Sequence, residues 1–598
     1  MEKITNKTDE SQLDKRIWLK IIKDLTEYKK EMIAVMTLMI SVSLADSIFP
    51  QMTRVAIDRF IVPESSEGLG VFVLLYACLV AWQAVNILLF IKAAGKVEVR
   101  FAYGIRKKAF EKLQGLSFSY FDETPKGWIM ARMTSDIRKI GEIISWGVVD
   151  LVWGLSMMVI IAGFMLYYNW RLALVALSVV PVLAVMSRYF QLKILKEYRR
   201  VRKINSQITS LFSEGISGAT TTKSLALEEN SFKEFKSATD NMRIKSIRAA
   251  IFTSMFMPLA ISIGSIGSAL VLLKGGSGVA QGSVSLGVLI LFITYTAQFF
   301  EPIRELARVI SEFQQAQASA ERVYALLETK ETVGDFEALI DIDNEKEVEL
   351  NGRIEFKNVN FSYLEGEPVL VDFNLCVKPG EKIALVGETG SGKSTIVNLL
   401  CRFYEPTSGE ITLDGVDYKK RSLGWLHSKI GYVLQSPHLF SGSIKENILF
   451  GKPGGTMEEV INAAKVVNAH EFIVKLDRGY DSKVGEGGGK LSTGEKQLIS
   501  FARTVIRNPR IFILDEATSS VDTQTEVYIQ KAINQVMKGR TAFIVAHRLS
   551  TVLSSDRILL IEKGIIKEMG SHDELMSKRG DYYSLVQSQF FHKPSDAI

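Results

Sequence analysis

Cysteine is scarce in this chain: Cys78, Cys376 and Cys401 are the only three among 598 residues. Their spacing is neither that of a disulfide framework nor that of a thiolate metal centre, which excludes both and fits a reducing cytosol. Charge of one sign is also lacking. Lys and Arg total 72 against 66 Asp and Glu, a net of +6, and no basic patch interleaved with aromatics accompanies it, so nucleic acid is excluded as a partner. Met1–Leu13 is polar without an apolar signal core, and its acidic residues argue against an organelle presequence. No segment suggests a peptidase or a large ectodomain.

Apolar residues, by contrast, are abundant. They make up 47% of the chain, and the mean hydropathy is +0.14. This length implies at least two domains. The C-terminal part reads as soluble, so the apolar excess must sit in the N-terminal half, and much of the basic excess lies beside it, as membrane topology requires.

The most specific pattern is Gly387-Glu388-Thr389-Gly390-Ser391-Gly392-Lys393-Ser394-Thr395, which has the spacing G-x-x-x-x-G-K-[ST]. It follows the apolar run Ile383–Val386, a predicted buried strand, and precedes Ile396–Leu400, the predicted first turns of a helix. Strand, glycine-rich turn and helix N-terminus form a phosphate cradle of convergent backbone N–H groups. Lys393 is placed to reach the β- and γ-phosphates, and the Ser394 hydroxyl to ligate Mg²⁺.

Downstream apolar runs deliver further polar groups. Ile511–Leu514 ends at Asp515, a carboxylate suited to Mg²⁺, and Glu516, placed to polarise an attacking water. Thr541–Ala546 ends at His547, a donor for γ-phosphate charge. Gly431–Leu434 delivers Gln435, a catalytic and Mg²⁺-site candidate in the same strand-then-polar pattern. Upstream, Tyr363 offers a ring for stacking on a base. Five such features in one order outweigh the separate bland readings of a capping Asp, a core His or a packed Tyr.

Leu491-Ser492-Thr493-Gly494-Glu495 completes the order. From about Arg353 onward the chain resembles the nucleotide-binding domain of ABC transporters. The resemblance implies that Tyr363 stacks on adenine, that Gln435 is the Q-loop residue, that Ser519-Ser520-Val521-Asp522 is the D-loop, and that Leu491–Glu495 is the signature. Val484–Gly487 resembles the segment that exporters use to contact coupling helices. It also implies that the signature acts in trans, so that two such domains sandwich each ATP.

The N-terminal half contains six candidate membrane spans: Met32–Ala56, Leu69–Ile91, Ile143–Tyr168, Leu172–Phe190, Ala249–Leu273 and Gly282–Ile303. Most reach the roughly 20 residues that cross a bilayer. The long connections Lys92–Glu142 and Arg188–Arg248 are rich in Lys and Arg, which places them and both termini in the cytoplasm. Parts of them continue the spans as helices, with breaks at Tyr120–Gly127 and Glu214–Gly218; both breaks resemble exporter intracellular loops that dock on nucleotide-binding domains. Trp18, Ile21, Ile22 and Leu25 form an apolar stripe opposite Lys20, Lys23 and Asp24, predicting an interfacial amphipathic helix.

The expected fold is therefore multidomain. Residues 1–31 form a tail and interfacial helix, 32–327 an all-α six-helix membrane domain, 328–350 a linker and 351–598 an α/β P-loop NTPase domain. Membrane domain first and one ATPase second resembles an exporter half-transporter of a bacterial inner or plasma membrane. That implies a second half-transporter as partner, contact with membrane lipids, and ATP-driven efflux of a hydrophobic or amphipathic drug, lipid or peptide. A metal-chelate importer and a homodimeric lipid flippase are the alternatives. Asp46 and Asp150, carboxylates within spans, either line the pathway and favour cationic substrates or are satisfied between helices. The usual family signature is Leu-Ser-Gly-Gly-Gln; Thr493 and Glu495 depart from it, which favours a heterodimer with this chain supplying the catalytic glutamate.

Overall fold

The computed structural model of the chain describes residues 15–334, 348–364, 366–515, 523–546 and 549–590. They divide into two compact units, one made of Met1–Gln114 with Lys126–Thr329 and the other of Gly115–Pro125 with Lys330–Ile598.

The first unit is helical. Its main helices are α1 (Lys15–Leu25), α2 (Lys29–Ala56), α3 (Leu69–Gly115), α5 (Val148–Leu177), α6 (Val179–Ser217), α7 (Glu228–Ala280) and α8 (Leu286–Glu328); α4 (Phe118–Glu123) belongs to the second unit. At 1.5 Å per residue, the 47 residues of α3 span roughly 70 Å. A hydrocarbon core takes up about 30 Å of this, so the amphipathic remainder lies beyond the apolar run.

Five of the described helices are long and apolar enough to cross a membrane: Lys15–Ile61, Leu69–Gly115, Lys126–Leu177, Glu228–Ala280 and Leu286–Ile303. The expected fourth span, Leu172–Phe190, is not among them. It is helical but divided at Ser178, between the end of α5 and the start of α6. Between the expected spans Ile143–Tyr168 and Leu172–Phe190 lies a break inside α5, where Asn169 adopts φ −159° and ψ 100°. Its Oδ1 accepts from the backbone N–H of Arg171 and Leu172, both at 3.1 Å, so the side chain caps the next helical segment.

The apolar stripe of α1 is divided between two environments. Ile21 is buried while Ile22 is exposed, and Trp18 Nε1 donates to Gln317 of α8 at 3.2 Å. Lys20 and Asp24, expected on the polar face, are paired with Glu328 and Lys108 respectively. Neither intramembrane carboxylate is without partners. Asp150 accepts from Arg308 Nη2 at 2.8 Å, whereas Asp46 is held by uncharged donors, Gln83 Nε2 at 2.8 Å and Trp153 Nε1 at 3.0 Å.

The second unit contains α4 (Phe118–Glu123) and two sheets. An antiparallel sheet has the order β2–β1–β4–β5, from β1 (Ile354–Ser362), β2 (Pro368–Val377), β4 (Ser408–Leu413) and β5 (Val416–Asp417). The other sheet has the order β10–β9–β3–β8–β7–β6. Its strands are β3 (Lys382–Val386), β6 (Ile430–Val433), β7 (Ile511–Asp515), β8 (Thr541–Val545), β9 (Arg557–Glu562) and β10 (Ile565–Gly570). All pairs in it are parallel except β9–β10. Both faces of β3, β7 and β8 are covered, so these central strands are apolar almost throughout, whereas the edge strand β10 alternates. Ile383 and Leu385 enter one core, and Ala384 and Val386 the other.

Helix α4 packs within this unit. Phe118 stacks on Phe403 with centroids 4.2 Å apart, and the Tyr404 hydroxyl donates to Asp122.

Asp136 is 4% exposed. It accepts from Arg322 Nε at 2.8 Å and Nη2 at 2.6 Å, and from Ser319 Oγ at 3.0 Å. Asp136→Asn keeps the volume but removes the charge, and should destabilise the protein by about 1.5–3 kcal/mol. Asp150→Asn, whose partner is half-exposed, should cost about 1 kcal/mol or less. Thermal unfolding in lipid checks the order, and an equal loss from both would refute it.

Candidate nucleotide site

The parallel strands carry the candidate residues to one edge of the sheet. The register pairs Leu385 of β3 with Val545 of β8, and Val545 with Asp515 of β7. The turn after β3, the end of β7 and the end of β8 therefore lie side by side. Val433 of β6 pairs with Leu514, which adds the segment leading to Gln435. Ligands of open α/β sheets bind at this carboxyl edge.

The turn between β3 and α9 (Lys393–Leu400) has the geometry its glycines predict. Gly387 has φ +146°, and a Cβ there would lie 2.2 Å from the carbonyl oxygen of Ile561. Gly392, the N-cap of α9, has φ +106°, a left-handed conformation that L side chains disfavour. Lys393 is 6% exposed, and its Nζ donates to the carbonyls of Gly387 at 2.8 Å and Glu388 at 2.6 Å. Burial pushes its ammonium below the usual value, opposed by the carboxylates of Asp515 and Glu388. Glu388, Thr389, Gly390 and Ser394 are exposed, while Ser391 and Thr395 are buried. A loop of this shape, with a lysine at its base and free N–H groups at a helix start, fits a polyphosphate.

Neighbouring groups frame the loop. The Tyr363 hydroxyl lies 3.2 Å from Thr395 Oγ1, and its ring is 44% exposed, so one face is open to a base. Tyr404 contacts Tyr363 edge-on at 5.1 Å, and the Tyr432 side chain hydrogen-bonds the Asp515 carboxyl. These two tyrosines escaped the sequence reading because nothing in their spacing connects them to the loop. Gln435 is exposed just beyond β6. Glu516, Ser519, Ser520, Val521, Asp522 and His547 lie outside the described residues.

The Leu491–Glu495 segment opens α10 (Thr493–Val505). Ser492 and Thr493 are exposed and Gly494 is buried. Ser492 is the N-cap and Glu495 closes a capping box with it. Glu495 thus has a local structural partner beyond the charge its identity brings, a role the S-x-x-E spacing signals directly.

Comparison with known proteins agrees with this geometry. The family model of the ABC transporter transmembrane region matches residues 32–303, and that described as ABC transporter matches 370–519. An ATP-dependent lipid A-core flippase of Syntrophus aciditrophicus is 35% identical over 82% of this chain and 81% of its own length. A fatty acid ABC transporter ATP-binding/permease protein of Mycobacterium bovis is 37% identical, over 88% of this chain and 82% of that protein. The uncharacterized ABC transporter ATP-binding protein YknU of Bacillus subtilis is 39% identical, over 82% and 83%. The chain is an ABC transporter. It is of the exporter type, a helical membrane region followed by an α/β ATPase domain, and couples ATP hydrolysis to transport across a membrane that it crosses several times.

In this transporter Gly387→Ala places a methyl group against a backbone carbonyl that cannot move without breaking β9. ATP affinity should fall by about tenfold or more. Gly424→Ala, where a Cβ meets nothing within 4 Å, should leave it unchanged. Titration with a fluorescent ATP analogue checks both; wild-type affinity in the first variant would overturn this reading of the loop.

Proposed function

We propose that this chain is one half of a dimeric exporter that moves a hydrophobic or amphipathic molecule, a lipid, drug or peptide, out of the cell. The observation that carries the reading is the meeting of the Lys393 loop, Asp515 and the Gln435 segment at one edge of a buried parallel sheet. Two of the relatives, a lipid A-core flippase and a fatty acid transporter, support a greasy substrate. The basic long connections support cytoplasmic termini.

In the proposed cycle Tyr363 stacks on adenine, the 387–395 loop cradles the phosphates and Lys393 pairs with the β- and γ-phosphates. Ser394, Asp515 and Gln435 would hold Mg²⁺ through hard oxygen donors, and the ion would supply neutralisation of developing phosphate charge. Glu516 orients the attacking water and accepts its proton, while His547 donates to the γ-phosphate. The signature of one subunit closes over the ATP of the other. Closure is favoured by differential binding of ATP to the closed state, and hydrolysis removes that preference.

Glu516→Gln should keep ATP binding but lower turnover by ~10²–10⁴-fold, accumulating a closed dimer. ATPase activity near wild type would refute the assignment.

We favour a heterodimer in which this chain supplies the catalytic glutamate, because Asp515, Glu516 and His547 are all present while the signature departs at Thr493 and Glu495. A homodimeric lipid flippase is supported by one observation: Glu495 preserves the capping box, so the departure leaves the local backbone intact. The experiment is to purify the chain alone and with a second half-transporter, then measure ATPase activity and efflux from sealed vesicles. Full, substrate-stimulated ATPase from the chain alone, with two equivalent sites, sinks the heterodimer. Uptake in place of efflux sinks the exporter reading.

A further inference from the structure

Ser492 carries two hydrogen-bond donors, a backbone N–H and one hydroxyl proton, and both are directed at one atom. The N–H donates to Glu495 Oε2 at 2.8 Å and the hydroxyl donates to the same oxygen at 2.9 Å. In return the Glu495 N–H donates to Ser492 Oγ at 3.3 Å. The hydroxyl has no second proton. A phosphate oxygen approaching Ser492 therefore meets a proton already committed to a carboxylate, through a charge-assisted bond roughly twice as strong as a neutral one. It also meets the negative charge of that carboxylate one hydrogen bond away. Ser492 is nevertheless exposed at the start of α10, where an incoming group has access to it.

We propose that Glu495 is a positioning residue that withholds the Ser492 proton, and so sets how strongly this chain's signature grips the γ-phosphate bound by the other subunit. The inference rests on the reading that the signature acts in trans. It assigns the departure from the usual glutamine a specific consequence. Glutamine has the same length, serves equally as the N3 partner of a capping box, and holds the hydroxyl with a neutral acceptor. The local fold survives either residue; the strength of the grip does not. A chain carrying Glu495 thus weakens the partner's ATP site while leaving its own untouched.

The test uses the full chain in lipid, with its partner half-transporter where a heterodimer forms. Wild type, Glu495→Gln, Ser492→Ala and the double variant are compared in thermal midpoint and in the Kd of a fluorescent ATP analogue at the nucleotide site of the other subunit, this chain's own site being silenced by Lys393→Ala in a heterodimer. Glu495→Gln should lower that Kd about three- to tenfold, the worth of one hydrogen bond, with the thermal midpoint unchanged. Ser492→Ala should raise it. In the Ser492→Ala background, Glu495→Gln should change the Kd by less than about twofold, since the two residues act as one unit. An unchanged Kd in Glu495→Gln overturns the proposal, as does the same gain in both backgrounds, which would mean that the charge acts on phosphate directly. A wild-type Kd in Ser492→Ala instead sinks the reading of the signature in trans, and the proposal with it.

Discussion

A polyphosphate binds where several backbone N–H groups converge on one small volume, and that convergence depends on a side chain being absent. In this transporter the turn after β3 runs so close to β9 that a Cβ on Gly387 would sit 2.2 Å from the Ile561 carbonyl. That contact ties the loop to the sheet. It sets the direction in which α9 leaves, aims Lys393 back across the loop carbonyls and leaves Ser394 exposed at the helix start. The parallel register then brings the ends of β7 and β8 alongside. The ATPase chemistry therefore follows from one close backbone approach, supported by strands buried on both faces.

The membrane unit obeys a different constraint. Its helices must satisfy every backbone polar group internally, and their length beyond a bilayer's thickness carries them into water. There the stabilising contacts change from apolar packing to ion pairs and caps, as at Asp136 with Arg322 and Asp24 with Lys108. The short segment Gly115–Pro125 leaves this helical unit and joins the ATPase unit, through the Phe118–Phe403 stack and the Tyr404–Asp122 bond.

Capping geometry links local sequence to function at the signature. The same S-x-x-E box closes helices at Ser443, Ser571 and Ser492, and at the first two it serves only the helix. At Ser492 the hydroxyl belongs to a segment that the resemblance assigns to phosphate, so an ordinary cap becomes part of the chemistry. Physical context, not the motif, makes the difference.

Much of the molecule was legible in the sequence because its determinants are local. The 387–395 loop, the strand preceding it, the apolar runs ending at Asp515 and His547, and the long membrane helices each follow from spacing or composition within some 20 residues. The interval at Asn169–Arg171 was legible as the gap between two apolar runs, but the cap formed by the Asn169 side chain was not. What the sequence could not determine depends on residues far apart along the chain. Tyr404 against Tyr363, Tyr432 on Asp515 and Phe118 on Phe403 are ring and hydroxyl contacts between segments that only the tertiary fold brings together. The split stripe of α1 likewise depends on which of its faces meets α8. Periodicity states that a face is apolar; only the packed structure decides what covers it.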